Sequence, residues 1–404
     1  MKLKSIFRGD KGIWVVFFLL SLISLVAVYS SIGLEAYMHA SAGKTPGGLF
    51  RKHLFIVALT YVAIIFISRI NYRYFSRFAL LGYFASLVLL VVVFVVGGRW
   101  LQFNGLAGIN QFQPSEIAKV VLIIFVARQL TLKQNKVDSK EMFWQMLIFI
   151  GLVAGFILPQ NLSTAALTFL ACYIMMYLGG VNRKRWWLLL AAGIVVGGIW
   201  MGTTYANYER SQKDGGQVNV SLVEREQTWG HRLHSWINPN DSILTQDNIA
   251  RMAIARGGLL GKHVGNTIHG RLMTEAHNDF IFAVIIEETG AIGGMIVFTL
   301  YAIFFLRCVR LARRCDGMFG KLTVAGIGIV IYLQALINMS VAVGALPVTG
   351  QTLPFISFGG TAYLFLGCGV GVIQAVAVDV QQKEKAVAEK TTPKVEPENS
   401  LATP

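Results

Sequence analysis

Charge is scarce in this chain. Only 14% of its 404 residues are Asp, Glu, Lys or Arg, against 54% apolar ones, and mean hydropathy is +0.57. Soluble globular domains carry roughly 25% charged residues, so that class is excluded. Acidic residues are scarcest, at 21 against 36 basic ones, for a net charge of +15. Such an excess can signal nucleic-acid binding. Here the basic residues stand in short clusters between apolar runs, the pattern that sets membrane orientation, so nucleic acid is rejected as a partner. Cysteine is sparse too. Cys172, Cys308, Cys315 and Cys368 show no C-x-x-C spacing, so neither a disulfide framework nor a zinc site is indicated. No convincing internal repeat is found, which disfavours a transporter built from inverted halves. No small-residue cleavage site closes the first apolar run, which extends from Ile13 to about Leu34. It reads as a retained helix rather than a signal peptide.

What the chain does have is apolar runs long enough to cross about 30 Å of hydrocarbon as helices of roughly 20 residues. Ten are expected, over 12–34, 53–71, 76–97, 114–131, 142–159, 162–181, 185–203, 277–307, 319–345 and 354–379. The expected fold class is all-α, a polytopic membrane protein with residues 1–380 in one bundle. The basic clusters around Lys2 to Lys11, Arg69 to Arg77, Arg128 to Lys140, Arg183 to Arg185 and Arg307 to Lys321 all fall on one side. That side is then cytoplasmic, with both termini inside. Lys44, Arg51 and Lys52 are weak exceptions in the first outer loop. The segment 204–276 becomes one large extracytoplasmic loop. Its amphipathic pieces, such as Ser242 to Arg256, and its aromatic anchors Trp229 and Trp236 predict short helices on the membrane surface. The tail 381–404 is rich in Lys, Glu, Pro and Thr and reads as a disordered cytoplasmic extension.

Ionisable groups in such a chain are costly and mark pairs, cavities or function. The densest run is Glu275-Ala-His-Asn-Asp279, at the start of the eighth span. In a helix, Glu275 lies one turn before Asp279 on the same face. Glu287 lies about 80° further around the axis. These three are expected to line one groove, with His277 pointing elsewhere. Spacing leaves two readings of Asp279 open: a helix N-terminal cap or a catalytic carboxylate. Glu287 and Glu288 lie deeper and need a cation or a cavity.

The second cluster is Gly97-Gly-Arg99-Trp100, followed by Gln113-Pro-Ser-Glu116-Ile-Ala-Lys119. Pro114 at the first helical position, with Glu116 in the first turn, makes a helix start. Lys119 lies inside the span and wants a carboxylate. Lys119–Asp279 is the expected pair, since a neighbouring cation keeps an aspartate ionised, as a general base requires. The third cluster is Ala255-Arg256-Gly257-Gly258-Leu-Leu-Gly261, with Lys262 and Arg271 nearby. It reads either as an ordinary turn or as a close backbone approach with cations for phosphate. The fourth is Leu353-Pro-Phe-Ile-Ser357-Phe-Gly359-Gly360. Irregular backbone at the membrane edge must be covered by protein or line a watery cavity. These segments meet at the outer ends of spans four, eight and ten. A cavity there, polar at its rim and apolar below, suits an amphiphile with a polar head and a lipid tail.

Together these motifs, over residues 12 to 380, resemble the SEDS family of bacterial cell-wall polymerases, most closely its FtsW-like branch, with RodA-like members as relatives. The resemblance implies a ten-helix glycosyltransferase in the bacterial cytoplasmic (inner) membrane. Its substrate would be lipid II, a disaccharide-pentapeptide on undecaprenyl pyrophosphate, and its work septal cell-wall synthesis. It implies Asp279 as the essential catalytic residue and Lys119 as the family's lysine, with the other residues of the four clusters binding substrate or supporting the site. It also implies a class B penicillin-binding protein as transpeptidase partner, among other division proteins. No cofactor is demanded. A divalent ion, Mg2+ or Mn2+, could serve the leaving group, although no ligand set is evident. The rival readings are a lipid II flippase, which needs access to both membrane faces, and an elongation-type polymerase. The chain departs from the family pattern at Thr274 and Asn278, where Pro and Thr are common, and at Asn161, which replaces a carboxylate. It departs again at Ala255-Arg256, where the family commonly has Gly-Ser. These changes retain Asp279 but weaken any role for the segment around Asn161.

Overall fold

Among the described residues, ten long helices form where the chain carries its ten apolar runs. The computed structural model describes residues 7–32, 46–96, 101–102, 111–137, 139–213, 223–238, 245–273 and 276–391. Along the bundle these are α1 (Lys11–Ser31), α2 (Pro46–Ile67), α3 (Tyr72–Val96), α4 (Pro114–Leu132), α5 (Lys140–Ile157), α6 (Leu162–Leu178) and α7 (Arg183–Lys213). Two shorter helices follow, α8 (Val223–Ile237) and α9 (Gln246–Gly257). Then come α10 (Ile281–Arg314), α11 (Met318–Ala342) and α12 (Gly360–Thr391). The one sheet among the described residues is a two-residue antiparallel ribbon, β1 (Leu101–Gln102) against β2 (Gln111–Phe112), just ahead of α4. The protein is an all-α, multi-pass membrane protein.

Local sequence sets the helix starts. Asp10 accepts from the Ile13 N–H at 3.0 Å, Ser139 from Met142 at 3.1 Å and Asn161 from Thr164 at 3.2 Å, each satisfying a donor that the first turn leaves unpaired. Pro114 opens α4 as its spacing predicts, with Gln113 at the cap position. Among the described residues, eight helices are long and apolar enough to cross a membrane. Two more, α4 and α6, join them in the bundle. Every 18-residue stretch of α4 carries Glu116, Lys119 and Arg128, and α6 has only 17 residues. Burial decides which helices are central: 78% of the most apolar stretch of α12 and 67% of that of α11 are inside, against 6% for α7.

Four expectations change. Span eight begins at Ile281, not at 277; residues 276–280 are turns and a bend. Span ten begins at Gly360, because Pro354 to Phe358 form an irregular turn. The seventh helix runs to Lys213, well past 203. The last helix runs to Thr391, into the tail read as disordered. Residues 381–391 are dominated by good helix formers. Glu384 takes a hydrogen bond from Arg314 Nε at 2.8 Å, and Lys383 pairs with Asp379 one turn back at 3.1 Å. The loop between α7 and α10 holds short helices, as its amphipathic pattern predicts.

Candidate active site

Asp279 lies in the turn just before α10. The residue at the cap position is Phe280, which makes no side-chain cap, so the capping reading fails. Asp279 is half-buried, and its backbone is clamped from two sides. Asn338 Nδ2, from α11, donates to the Asp279 carbonyl at 2.8 Å and to the Gln351 carbonyl at 2.7 Å. Ser357 Oγ donates to the Asn278 carbonyl at 2.6 Å while accepting from the Leu353 N–H at 2.7 Å. The Phe358 N–H reaches the His277 carbonyl at 2.9 Å. Thus Leu353 to Gly360 is covered by protein, as irregular backbone at membrane depth requires, and it fixes the carboxylate-bearing turn. Gly359 donates its N–H to the Ser357 carbonyl at 2.7 Å, and Gly360 starts α12. His277 is buried with its ring 5.6 Å from that of Phe358.

Lys119 does not pair with Asp279. It is fully buried, and its Nζ lies 2.9 Å from Glu116 Oε2 and 2.8 Å from Gln334 Oε1. The i,i+3 spacing on α4 places the Glu116 carboxylate beside it on the same helix face. Lys119 still communicates with the site. Gln334 Nε2 donates to the Thr352 carbonyl at 3.0 Å, one residue from the Gln351 carbonyl that Asn338 holds. Gln351 in turn donates to Thr164 Oγ1 at 2.8 Å, which ties in α6 beside its cap Asn161. The Glu116–Lys119 pair, Gln334, Asn338 and Gln351 therefore form one buried polar network under Asp279. Gln334, Asn338 and Gln351 went unnoticed in the sequence. The signal was there: Gln334 and Asn338 stand one turn apart inside an otherwise apolar run, where polar side chains are expensive.

The third cluster gathers around Glu287 instead of Asp279, so the expected Asp279–Glu287 groove does not form. Glu287 Oε1 lies 2.8 Å from Arg256 Nη1 and 2.8 Å from His269 Nδ1. The same carboxylate accepts from Thr267 and from the N–H groups of Ile268, His269 and Gly270. Glu288 accepts from Ser30 on α1 and from the Gly265 N–H at 3.1 Å. Both buried glutamates thus find donors within the protein. At Gly290, φ is +74° and α10 breaks. Loop carbonyls replace the lost helical acceptors there, with the Ala291 N–H to Gly258 O at 2.9 Å. The approach demands glycine: a Cβ on Gly257 would lie 2.1 Å from Ile286 O, and one on Gly261 2.2 Å from Glu288 O. Arg271 donates to the Gly265 carbonyl at 2.8 Å, and the Lys262 side chain is exposed. Arg99 and Glu275 lie outside the described residues. Among the described residues, no group of three His, Cys, Asp or Glu side chains could hold a metal ion.

These features define a polytopic membrane protein whose buried polar network ends on one half-buried aspartate in an irregular turn. The chain belongs to the FtsW/RodA/SpoVE family, described as a cell cycle protein family, whose model matches residues 10–382. It is 30% identical over 391 residues to a probable peptidoglycan glycosyltransferase FtsW of Geobacter metallireducens, covering 93% of this chain and 96% of that one. It is 28% identical over 391 residues to the peptidoglycan glycosyltransferase MrdB of Escherichia coli, covering 91% and 95%. Its fold matches a chain from a solved peptidoglycan synthase complex that coordinates polymerization and crosslinking, with a TM-score of 0.71, 21% identity and coverage of 93% and 99%.

Proposed function

We propose that this protein is a peptidoglycan glycosyltransferase that polymerises lipid II at the outer face of the bacterial cytoplasmic membrane, in septal synthesis. The observation that carries this reading is Asp279: a half-buried carboxylate in a turn clamped by Asn338, Ser357 and Phe358, in a chain similar along nearly its whole length to proteins named for that activity. Asp279 accepts the proton of the 4-hydroxyl of the acceptor GlcNAc. That oxygen attacks the anomeric carbon of the donor MurNAc, and the bond to undecaprenyl pyrophosphate breaks. The α linkage becomes a β-1,4 bond by inversion. One base suffices, because pyrophosphate is a good leaving group whose need is charge stabilisation rather than protonation. Lys262 and Arg271 stand on the exposed loop as candidate cations for it. No step is routed through a divalent ion.

The basic clusters support cytoplasmic termini and an external α8–α9 loop. A class B penicillin-binding protein is the proposed partner for crosslinking, in keeping with the synthase complex that this fold matches. The test is Asp279→Asn, purified with its partner and supplied with lipid II in detergent. Loss of glycan polymerisation by about 10²-fold or more is expected, and undiminished polymerisation rejects Asp279 as the base. In detergent no compartments exist, so wild-type protein that forms no glycan would return the reading to a flippase.

A further inference from the structure

Gly350 marks a close approach between two charged side chains. Its φ is +67°. A Cβ placed there would lie 3.6 Å from Asp279 Oδ2 and 4.0 Å from Arg232 Nη1. The carboxylate and the guanidinium therefore both lie beside one glycine. Arg232 comes from α8, in the loop between α7 and α10, and it is held in place. Its Nη1 donates to the Val348 carbonyl at 3.3 Å, and its guanidinium carbon sits 5.5 Å from the ring centroid of Trp229, one turn back. One turn on, Trp236 Nε1 donates to the Gly344 carbonyl at 2.9 Å. The helix is thus fastened to residues 344–348 at two points. The Gln351 carbonyl, a few residues further on, shares Asn338 with the Asp279 carbonyl. Both members of the pair hang on the same short stretch of backbone.

We infer that Arg232 is the positioning residue for Asp279, its guanidinium near the carboxylate beside Gly350 and holding it in the proton-accepting form. The inference rests on the reading of Asp279 as base. Other charged or titratable groups stand around the turn among the described residues. Glu116 and Lys119 from α4 pair with each other. His277 packs on Phe358, and His53 from α2 packs on the same ring while bonding Ser24. Arg251 from α9 lies against Gly344, with its Nε buried and without a hydrogen-bond partner. An opposite charge within a few ångströms favours the ionised form of a carboxylate, and a base must be ionised before it can accept a proton. The cation that sequence reasoning sought in Lys119 is supplied instead from α8. A helix of the outer loop thereby becomes part of the machinery rather than a surface ornament.

The test is the pH profile of lipid II polymerisation by the purified protein with its transpeptidase partner. Arg232→Gln is expected to lower kcat about tenfold and to move the acidic limb up by about one pH unit. Arg232→Lys, which keeps the charge, should restore most of both. Gly350→Ala sets a methyl against both groups, at a φ of +67°, and should move the same limb in the same direction. An acidic limb that stays in place in folded Arg232→Gln overturns the inference, as does a lysine variant no better than the glutamine one. Should Arg232→Gln fail to fold, an unmoved limb in Gly350→Ala overturns it. An active Asp279→Asn sinks the assignment of the base itself. An inert Asp279→Asn beside an unmoved Arg232→Gln profile sinks only the role of the arginine.

Discussion

At the scale of residues, Lys119 is fully buried and shares its charge with Glu116 at 2.9 Å and Gln334 at 2.8 Å. Removing one partner of a buried pair leaves the other charged and desolvated. Lys119→Met is therefore expected to destabilise the protein by about 3–5 kcal/mol, read as a lowered melting temperature in detergent. The double variant Lys119→Met with Glu116→Gln should recover much of the loss. A melting temperature unchanged in the single variant would mean that the pair is not buried in solution. That Lys119 needed a carboxylate was legible in the sequence. Which carboxylate it took was not, because a partner three residues away on the same helix outcompetes one that only folding brings near. Asp279 was legible as a candidate through its motif. Its escape from the capping role was not, since that depended on where α10 begins.

At the scale of elements, the break in α10 at Gly290 and the loop of Gly257 to Gly261 form one device. The loop's carbonyls take the N–H groups that the kink releases, and Glu287 and Glu288 gather the N–H groups of residues 265 and 268–270. Two neighbouring substitutions separate the contributions. Gly257→Ala puts a Cβ 2.1 Å from Ile286 O and should undock the loop. Gly258→Ala meets nothing within 4 Å and strains only the backbone at φ +56°, ψ −144°, at a cost of about 1–3 kcal/mol. Thermal unfolding and limited proteolysis between residues 258 and 272 should show Gly257→Ala as much the more damaging. Equal effects would argue against the docked loop. The glycines were visible in the sequence as a close approach. Their partner, the backbone of a helix some thirty residues later, was not, because backbone contacts leave no mark on side-chain pattern.

At the scale of the whole molecule, the basic clusters predict a sidedness that chemical labelling can check. Lys262→Cys, on the exposed loop, should react with a membrane-impermeant maleimide in intact spheroplasts. Lys385→Cys, near the end of α12, should react only after permeabilisation. The reverse pattern would invert the topology. Three of the four native thiols compete weakly: Cys172 and Cys308 are buried, and burial pushes the Cys315 thiol up to about 11, away from the reactive thiolate.

The sequence by itself determined the ten apolar helices, their membrane setting and the identity of the candidate base. Runs of helix length with almost no charge have one stable environment, and a dense polar motif at the head of such a run stands out against it. Only the tertiary structure decided which groups serve that base. The bonds that matter join residues far apart in the chain, Lys119 to Gln334 across 215 positions and Arg232 to Val348 across 116. Such pairings follow from how helices pack against one another, and spacing along a chain does not encode them.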